Sequence, residues 1–268
     1  MLFRTMKLSP VKQCHKGVVR KVASSLPTAQ FVRQACDEFI EIRREHVNFG
    51  KNRFIGGFAT IGRHSAVVLI HGENGRRGKT LIPESARGRA RGFRKANHLM
   101  QLAHKFRKPI IVCFVAPASS SGLIPAEPHE VLGLPKHILS QWCLDVPIIL
   151  VILTSKSAYD IFIVWLADKI LALDQTRFVL ALQEQGRNPR FKVDAKTLVH
   201  SGIIDRAISV SSNFAGLKGK VIPSRLRNAL IQMLDEVAGD SLEDLRARRQ
   251  ARLARVEAMV ANMCGREQ

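Results

Sequence analysis

VPIILVILTSKSAYDIFIVWLAD, residues 146–168, decides how the chain is read. The apolar run Ile148 to Leu153 has the length and β-branched content of a buried strand. The polar turn Thr154-Ser155-Lys156-Ser157 breaks it, and a second apolar run, Ile161 to Ala167, follows. This second run is read as the body of a helix over 158–167, and 168–173 as a short strand. A strand, a polar turn and a buried helix are what α/β proteins use to hold a ligand beyond the ends of their strands. The same stretch is also the most apolar of the chain. Ser155, Lys156 and Asp160 interrupt it, and no run reaches the roughly 20 residues that cross a bilayer.

Outward from this stretch the pattern alternates. Residues 28–46, after Pro27, carry Phe31, Ala35, Phe39 and Ile42 at helical spacing, with Thr28 as a capping residue. Residues 53–62 and 65–71 read as two strands joined at Gly62-Arg63-His64. Residues 72–92, rich in glycine and arginine, read as a loop. The helical period returns over 92–106, and Pro109 opens a strand at Ile110 to Val115. Residues 127–144, 223–238 and 241–259 read as further helices. Ser241 with Asp244 forms the start of a capping box in the last of these. Helices alternating with apolar strands predict an α/β fold built of βαβ units.

The 268 residues, 46% hydrophobic, suffice for one large core or two small ones. Residues 28–268 are read as a single domain and 1–27 as a basic arm. The first 36 residues hold Arg4, Lys7, Lys12, Lys16, Arg20 and Lys21 and no carboxylate, the composition of a basic arm or an organelle transit segment. The five cysteines are scattered, with no C-x-x-C pair, so no zinc ribbon is encoded and no metal site is expected. That usage fits a reducing cytoplasm. The net charge of +20 draws polyanions: nucleic acid, CoA phosphates or an acidic carrier protein. No nucleic-acid motif accompanies the charge, and aromatics at 6% leave few stacking platforms. A basic nucleic-acid binder therefore ranks below the other two classes of partner.

GFRKANHLMQLAHKFRKPII (92–111) resembles a segment of the α subunit of bacterial acetyl-CoA carboxylase carboxyltransferase, with its G-Y-R-K-A, L-M and K-x-P-I-I pattern. TAQFVRQACDEFIEI (28–42), FIGGFA (54–59) and SLEDLRARRQARL (241–253) resemble other stretches of that family in the same order. The resemblance runs over 28–185 and 202–253, with 186–201 short against the family pattern. It implies the crotonase-like (ClpP/crotonase) fold, stacked β-β-α units whose turns line a thioester site. It also implies a carboxyltransferase subunit that moves a carboxyl group between biotin on a carrier protein and an acetyl or malonyl thioester of CoA or phosphopantetheine. Acetyl-CoA carboxylation and malonyl decarboxylation are both open, and no covalently bound cofactor is implied. The implied partners are a β-type subunit with a zinc ribbon, a biotin carrier protein and an acidic acyl carrier protein.

Such chemistry passes through a thioester enolate whose oxygen needs N–H donors already in place. The family supplies them from turns after strands, reading D-T-P-G-A-Y-P-G and G-E-G-G-S-G-G. Laid on this chain without a gap, the first falls on 115–122, where Pro117 and Gly122 match. The second falls on 154–160, where none of the glycines remains, while Asp168, Lys169 and Leu173 match again. By carry-over the backbone N–H positions are Ala118, Gly122, Lys156 and Ser157. Lys156 is either a cation beside the oxyanion or a solvated turn lysine. HGENGRRGK (71–79) joins glycines to cations without P-loop spacing. Its His71, Arg76, Arg77 and Lys79 are the candidate contacts for a CoA or phosphopantetheine phosphate. Arg87, Arg89, Arg91, Arg94 and Lys95 form a basic patch, either a solvated face or a dock for an acidic acyl carrier protein. The altered turns leave a second function open, a non-catalytic homologue that binds or regulates carboxylase components.

Overall fold

A computed structural model describes residues 28–42, 54–72, 86–115, 145–153, 158–160, 167–181, 190–209 and 221–264. Its centre is a seven-stranded sheet. The strands are β1 (Glu38–Glu41), β2 (Phe54–Ile61), β3 (His64–Gly72), β4 (Ile110–Val115), β5 (Ile148–Ile152), β7 (Lys169–Leu173) and β10 (Arg206–Ile208), neighbours in that order. The first three pair antiparallel, and every pair from β3 to β10 is parallel. A smaller sheet holds β6 (Ala158–Asp160), β8 (Arg177–Ala181) and β9 (Arg190–Asp194).

The continuous apolar runs of β4 and β5 follow from burial on both faces. Ile110, Phe114, Ile148, Leu150 and Ile152 enter one core with Ala96, Leu99 and Met100 of α2 (Ala86–Lys105). Ile111, Cys113, Ile149, Val151 and Leu153 enter the opposite core. There they meet Val32 of α1 (Thr28–Ala35) and Leu226, Leu230, Met233 and Leu234 of α4 (Val221–Val237). Cys113 is fully buried, and desolvation pushes its thiol far up, as expected of an inert core cysteine. α3 (Ala195–His200) is capped by Asp194, whose carboxylate accepts from the Thr197 N–H at 2.8 Å. α5 (Leu242–Cys264) closes the chain, and its predicted capping box is present. The Asp244 N–H donates to Ser241 Oγ at 3.2 Å, and the Ser241 N–H donates to Asp244 Oδ2 at 2.9 Å.

Three sequence expectations are corrected. The helix over 28–46 stops at Ala35, and Glu38–Glu41 form β1, in register with β2 from Glu38↔Thr60 to Glu41↔Gly57. Phe39 and Ile42 fit a helical period, but they also pack from the two faces of a strand, one into each core. Residues 86–92, read as loop, are the first two turns of α2. The helix over 158–167 begins instead as β6, parallel to β8. A short apolar run rich in aromatic and β-branched residues is ambiguous by periodicity alone. Pairing with β8, which the sequence reading did not anticipate, decides it. The helix read over 127–144 and the run 161–166 lie outside the described residues.

The β-β-α arrangement is visible in these pairings. β5 lies in the main sheet and its successor β6 in the small one. β7 and β8 repeat the step before β9 and α3.

Candidate functional site at the carboxyl ends of the parallel strands

β3, β4 and β5 finish level with one another. His71 is in register with Phe114, Gly72 with Val115, and Phe114 with Ile152. The Leu153 N–H donates to the Phe114 carbonyl at 2.8 Å and continues this pairing past the end of β5. The two segments that carry the candidate donor positions therefore leave adjacent strands at the same edge. Ala118 and Gly122 follow β4, and Lys156 and Ser157 follow β5. This is where open parallel sheets place ligands. Ala118, Gly122, Lys156, Ser157, Arg76, Arg77 and Lys79 themselves lie outside the described residues. Of the candidate residues, His71 is described: it is the penultimate residue of β3, paired with Phe54 on one side and Phe114 on the other.

α2 brings further charge to this edge. It ends at Lys105, shortly before β4 begins at Ile110, so it runs back antiparallel to the strands. Its 20 residues span roughly 30 Å. The six residues of β4 span roughly 20 Å, less than the helix. Arg87, Arg89 and Arg91 occupy its first turns, with no acidic residue in the first turn. The positive end of the helix dipole lies at this start of α2. Lys95 does not belong to a free cationic face: its side chain is mostly covered, with Nζ 4.0 Å from Glu41 Oε1.

The other edge of the sheet holds a network that the sequence reading did not assign. Asp168, fully buried, accepts two hydrogen bonds from Arg249 of α5, at 2.9 Å and 2.8 Å, and one from the Ile148 N–H at 2.7 Å. Burial pushes its carboxyl up, against the pull of Arg249. Arg252 donates to the Asp168 carbonyl at 2.9 Å, to Asp205 Oδ2 at 2.8 Å and to the Ile203 carbonyl. Asp205 in turn accepts from the Ile170 N–H at 2.8 Å. These groups tie α5 to the amino ends of β5 and β7, away from the strand ends that carry the candidate turns. Their role is to hold the frame. The R-R-x-x-R spacing over 248–252 was the available signal, since it sets Arg249 and Arg252 on neighbouring positions of one helix. Nothing in the spacing names Asp168 as their partner.

The frame carries most of the family resemblance. Asp37 accepts three bonds from Arg227 and one from the Gly62 N–H, and Gly56-Gly57 let other elements close in on β2.

Residues 6–257 match the family model described as "Acetyl co-enzyme A carboxylase carboxyltransferase-like". The acetyl-coenzyme A carboxylase carboxyl transferase subunit alpha of Prochlorococcus marinus (strain NATL1A) is 26% identical over 246 residues, covering 85% of this chain and 74% of that protein. The subunit of the same name from Xanthomonas axonopodis pv. citri (strain 306) is 22% identical over 240 residues, covering 84% and 75%. Among solved structures, a Pseudomonas malonate decarboxylase hetero-dimer is similar with a TM-score of 0.50 at 11% identity, covering 86% of this chain and 96% of that one. Transcarboxylase 12S is similar with a TM-score of 0.51 at 14% identity, covering 87% and 47%. The two structural likenesses establish the fold, which is the crotonase-type α/β arrangement that the resemblance implied. With its frame residues paired as described and its sequence matched over nearly its whole length, the chain belongs to the acetyl co-enzyme A carboxylase carboxyltransferase-like family, a family of transferases.

Proposed function

We propose that the chain is the α-type subunit of a biotin-dependent carboxyltransferase, with residues 28–268 as its domain and 1–27 as a basic arm. The observation that carries this reading is the level finish of β3, β4 and β5, which sends both candidate turns off one edge. In the decarboxylating direction the carboxyl group leaves the α-carbon of a malonyl thioester. The bonding pair stays as an enolate, and the carboxyl carbon bonds to a biotin ureido nitrogen. The proton released from that nitrogen ends on the α-carbon. Backbone N–H groups at Ala118, Gly122, Lys156 and Ser157 would hold the enolate and ureido oxygens. His71, Arg76, Arg77 and Lys79 would hold the phosphates of CoA or phosphopantetheine. A β-type subunit, in this family the bearer of a zinc ribbon, would complete the site, and biotin would arrive on its carrier protein. An acidic acyl carrier protein suits the charge of +20 better than free CoA alone requires.

The assay uses the chain co-purified with its native partners. Labelled malonyl thioester is supplied with free biotin or a biotinyl protein, and label on biotin is measured. Ser157→Pro removes one N–H donor and is expected to lower transfer on the order of a hundredfold. Ser157→Ala keeps the donor and is expected to leave transfer near its starting rate. Equal rates for both variants would exclude Ser157 as a donor.

A second reading, a non-catalytic homologue that docks with carboxylase components, is favoured by the side chains standing where the family has turn glycines. A stable complex with a β-type partner that transfers no label in either direction would establish it.

A further inference from the structure

Ile40 and Phe106, 60% and 52% exposed, are the exposed large hydrophobic residues among those described, and they belong to one surface. Ile40 is the cross-strand partner of Phe58, so their side chains share a face of the sheet. The Phe58 ring meets Phe106 edge-on, with centroids 6.2 Å apart and an interplanar angle of 72°. The strip Ile40–Phe58–Phe106 thus runs from the edge strand β1 to the carboxyl end of α2. That is the end of the sheet where β4 begins, opposite His71.

A cation stands beside this strip, and two more follow it in the chain. Lys105 Nζ stands 6.0 Å from the Phe106 ring centroid, and Arg107 and Lys108 follow directly. Among the described residues, none of the three meets a carboxylate. Glu41, on the neighbouring strand, is taken by Arg33 at 2.6 Å. Among the described residues, Arg107 is also the non-glycine residue with positive φ, at 49°. It follows the last turn of α2, whose end is closed by the Lys108 N–H donating to the Ala103 carbonyl at 2.9 Å. Glycine or asparagine ordinarily takes such a position. An arginine there accepts backbone strain and adds a cation beside an exposed phenylalanine, an arrangement that points to use of the surface.

We propose that this surface docks an acidic segment of a partner protein, with one apolar side chain seated against Ile40, Phe58 and Phe106 and its carboxylates on Lys105, Arg107 and Lys108. An apolar centre inside a charged rim is the usual anatomy of a protein interface. A second copy of this chain does not fit, because self-pairing would set like charges together. The proposal concerns the edge of the sheet away from the candidate site and does not depend on the reaction assigned there.

The test uses the full chain and two labelled nine-residue acidic peptides, identical except for a central leucine or serine, followed by fluorescence anisotropy. The leucine peptide is expected to bind more tightly. Phe106→Ser is expected to weaken it about tenfold and to leave the serine peptide unchanged. Lys105→Glu combined with Lys108→Glu should weaken both peptides. Arg246→Glu, on the exposed face of α5, should change either by no more than about twofold. Equal binding of the two peptides, or an Arg246→Glu effect as large as that of the Lys105 and Lys108 pair, would show only the general field of the molecule and overturn the proposal. A dimer in sedimentation that Phe106→Ser dissociates would overturn it in favour of self-association. Phe106 is half exposed, so its truncation leaves the fold intact, and an unchanged melting curve for the variant verifies this.

Discussion

At Gly57 the edge strand β1 passes so close that a Cβ would overlap the Ile40 carbonyl. At Gly56 a Cβ would lie 2.5 Å from Leu99 Cδ1 and 3.1 Å from the Val68 carbonyl. Gly57→Ala therefore forces backbone apart and is expected to destabilise the protein by about 1–3 kcal/mol, read as a lowered urea midpoint at unchanged slope. The sequence showed FIGGFA as a strand. Only the packing shows why it tolerates two glycines, which ordinarily weaken a strand. Asp168 makes the same point for charge. Asp168→Ala takes the carboxylate away from the Arg249 guanidinium and the acceptor away from the Ile148 N–H, and is expected to cost about 3–5 kcal/mol. Asp168→Asn keeps one acceptor oxygen, turns the other into a donor, and removes a carboxylate whose ionised form burial opposes, so its cost is expected to be smaller. Urea denaturation of the two variants side by side checks the order. Equal losses would mean that the ion pair itself, and not the hydrogen bonding, holds α5.

Among the described residues, α4 carries the most ionic attachments to its surroundings. Arg227 pairs with Asp37 at 2.8 Å, Asp235 with Arg63 at 2.8 Å and with His64 at 2.6 Å, and Glu236 with Lys169 at 2.5 Å and Arg206 at 2.6 Å. The hydrogen bond from Arg227 holds the Asp37 carboxyl below its usual range. His64 and Arg63 do the same for Asp235, and Lys169 for Glu236. A carboxyl depressed in the folded state contributes stability above its unfolded pKa, and that contribution is lost as pH falls through the folded pKa. Stability is therefore expected to decline below about pH 4, where the unfolded carboxyls begin to bind protons before the folded ones. Asp168, shifted the other way, opposes this trend. Urea midpoints between about pH 3 and pH 6 give the measurement, and a triple variant with Asp37→Asn, Asp235→Asn and Glu236→Gln should flatten the slope. The helices α2, α4 and α5 were legible because long amphipathic segments carry a strong period. α1 ends early, and β6 was hidden, because short apolar runs satisfy two periods at once and their partners β2 and β8 decide between them. β8, β9, α3 and β10 left no clear signal of their own, because each is short.

For the whole molecule the dominant quantity is charge. With +20 net, association with an acidic protein or polyanion is expected to be fast at low salt and to slow steeply as ionic strength rises from about 0.05 M to 0.5 M, as the Debye length shrinks. Stopped-flow association rates against ionic strength measure this, and a flat profile would remove electrostatic steering from any account of partner choice. Sequence by itself determined the α/β class, the order of the long elements, the buried strands at 110–115 and 148–152 and the family, because periodicity, length and ordered motifs are local and cumulative. Tertiary structure decided what a linear pattern does not encode: that β3, β4 and β5 end level, so that the segments after β4 and β5 leave from one edge; that Asp168 and Arg249, 81 residues apart, bind each other; and that Ile40 and Phe106 join through Phe58 into one surface. Each of these is a pairing between distant residues, fixed by the closure of the sheet and the packing of helices on its two faces, and no local preference contains it.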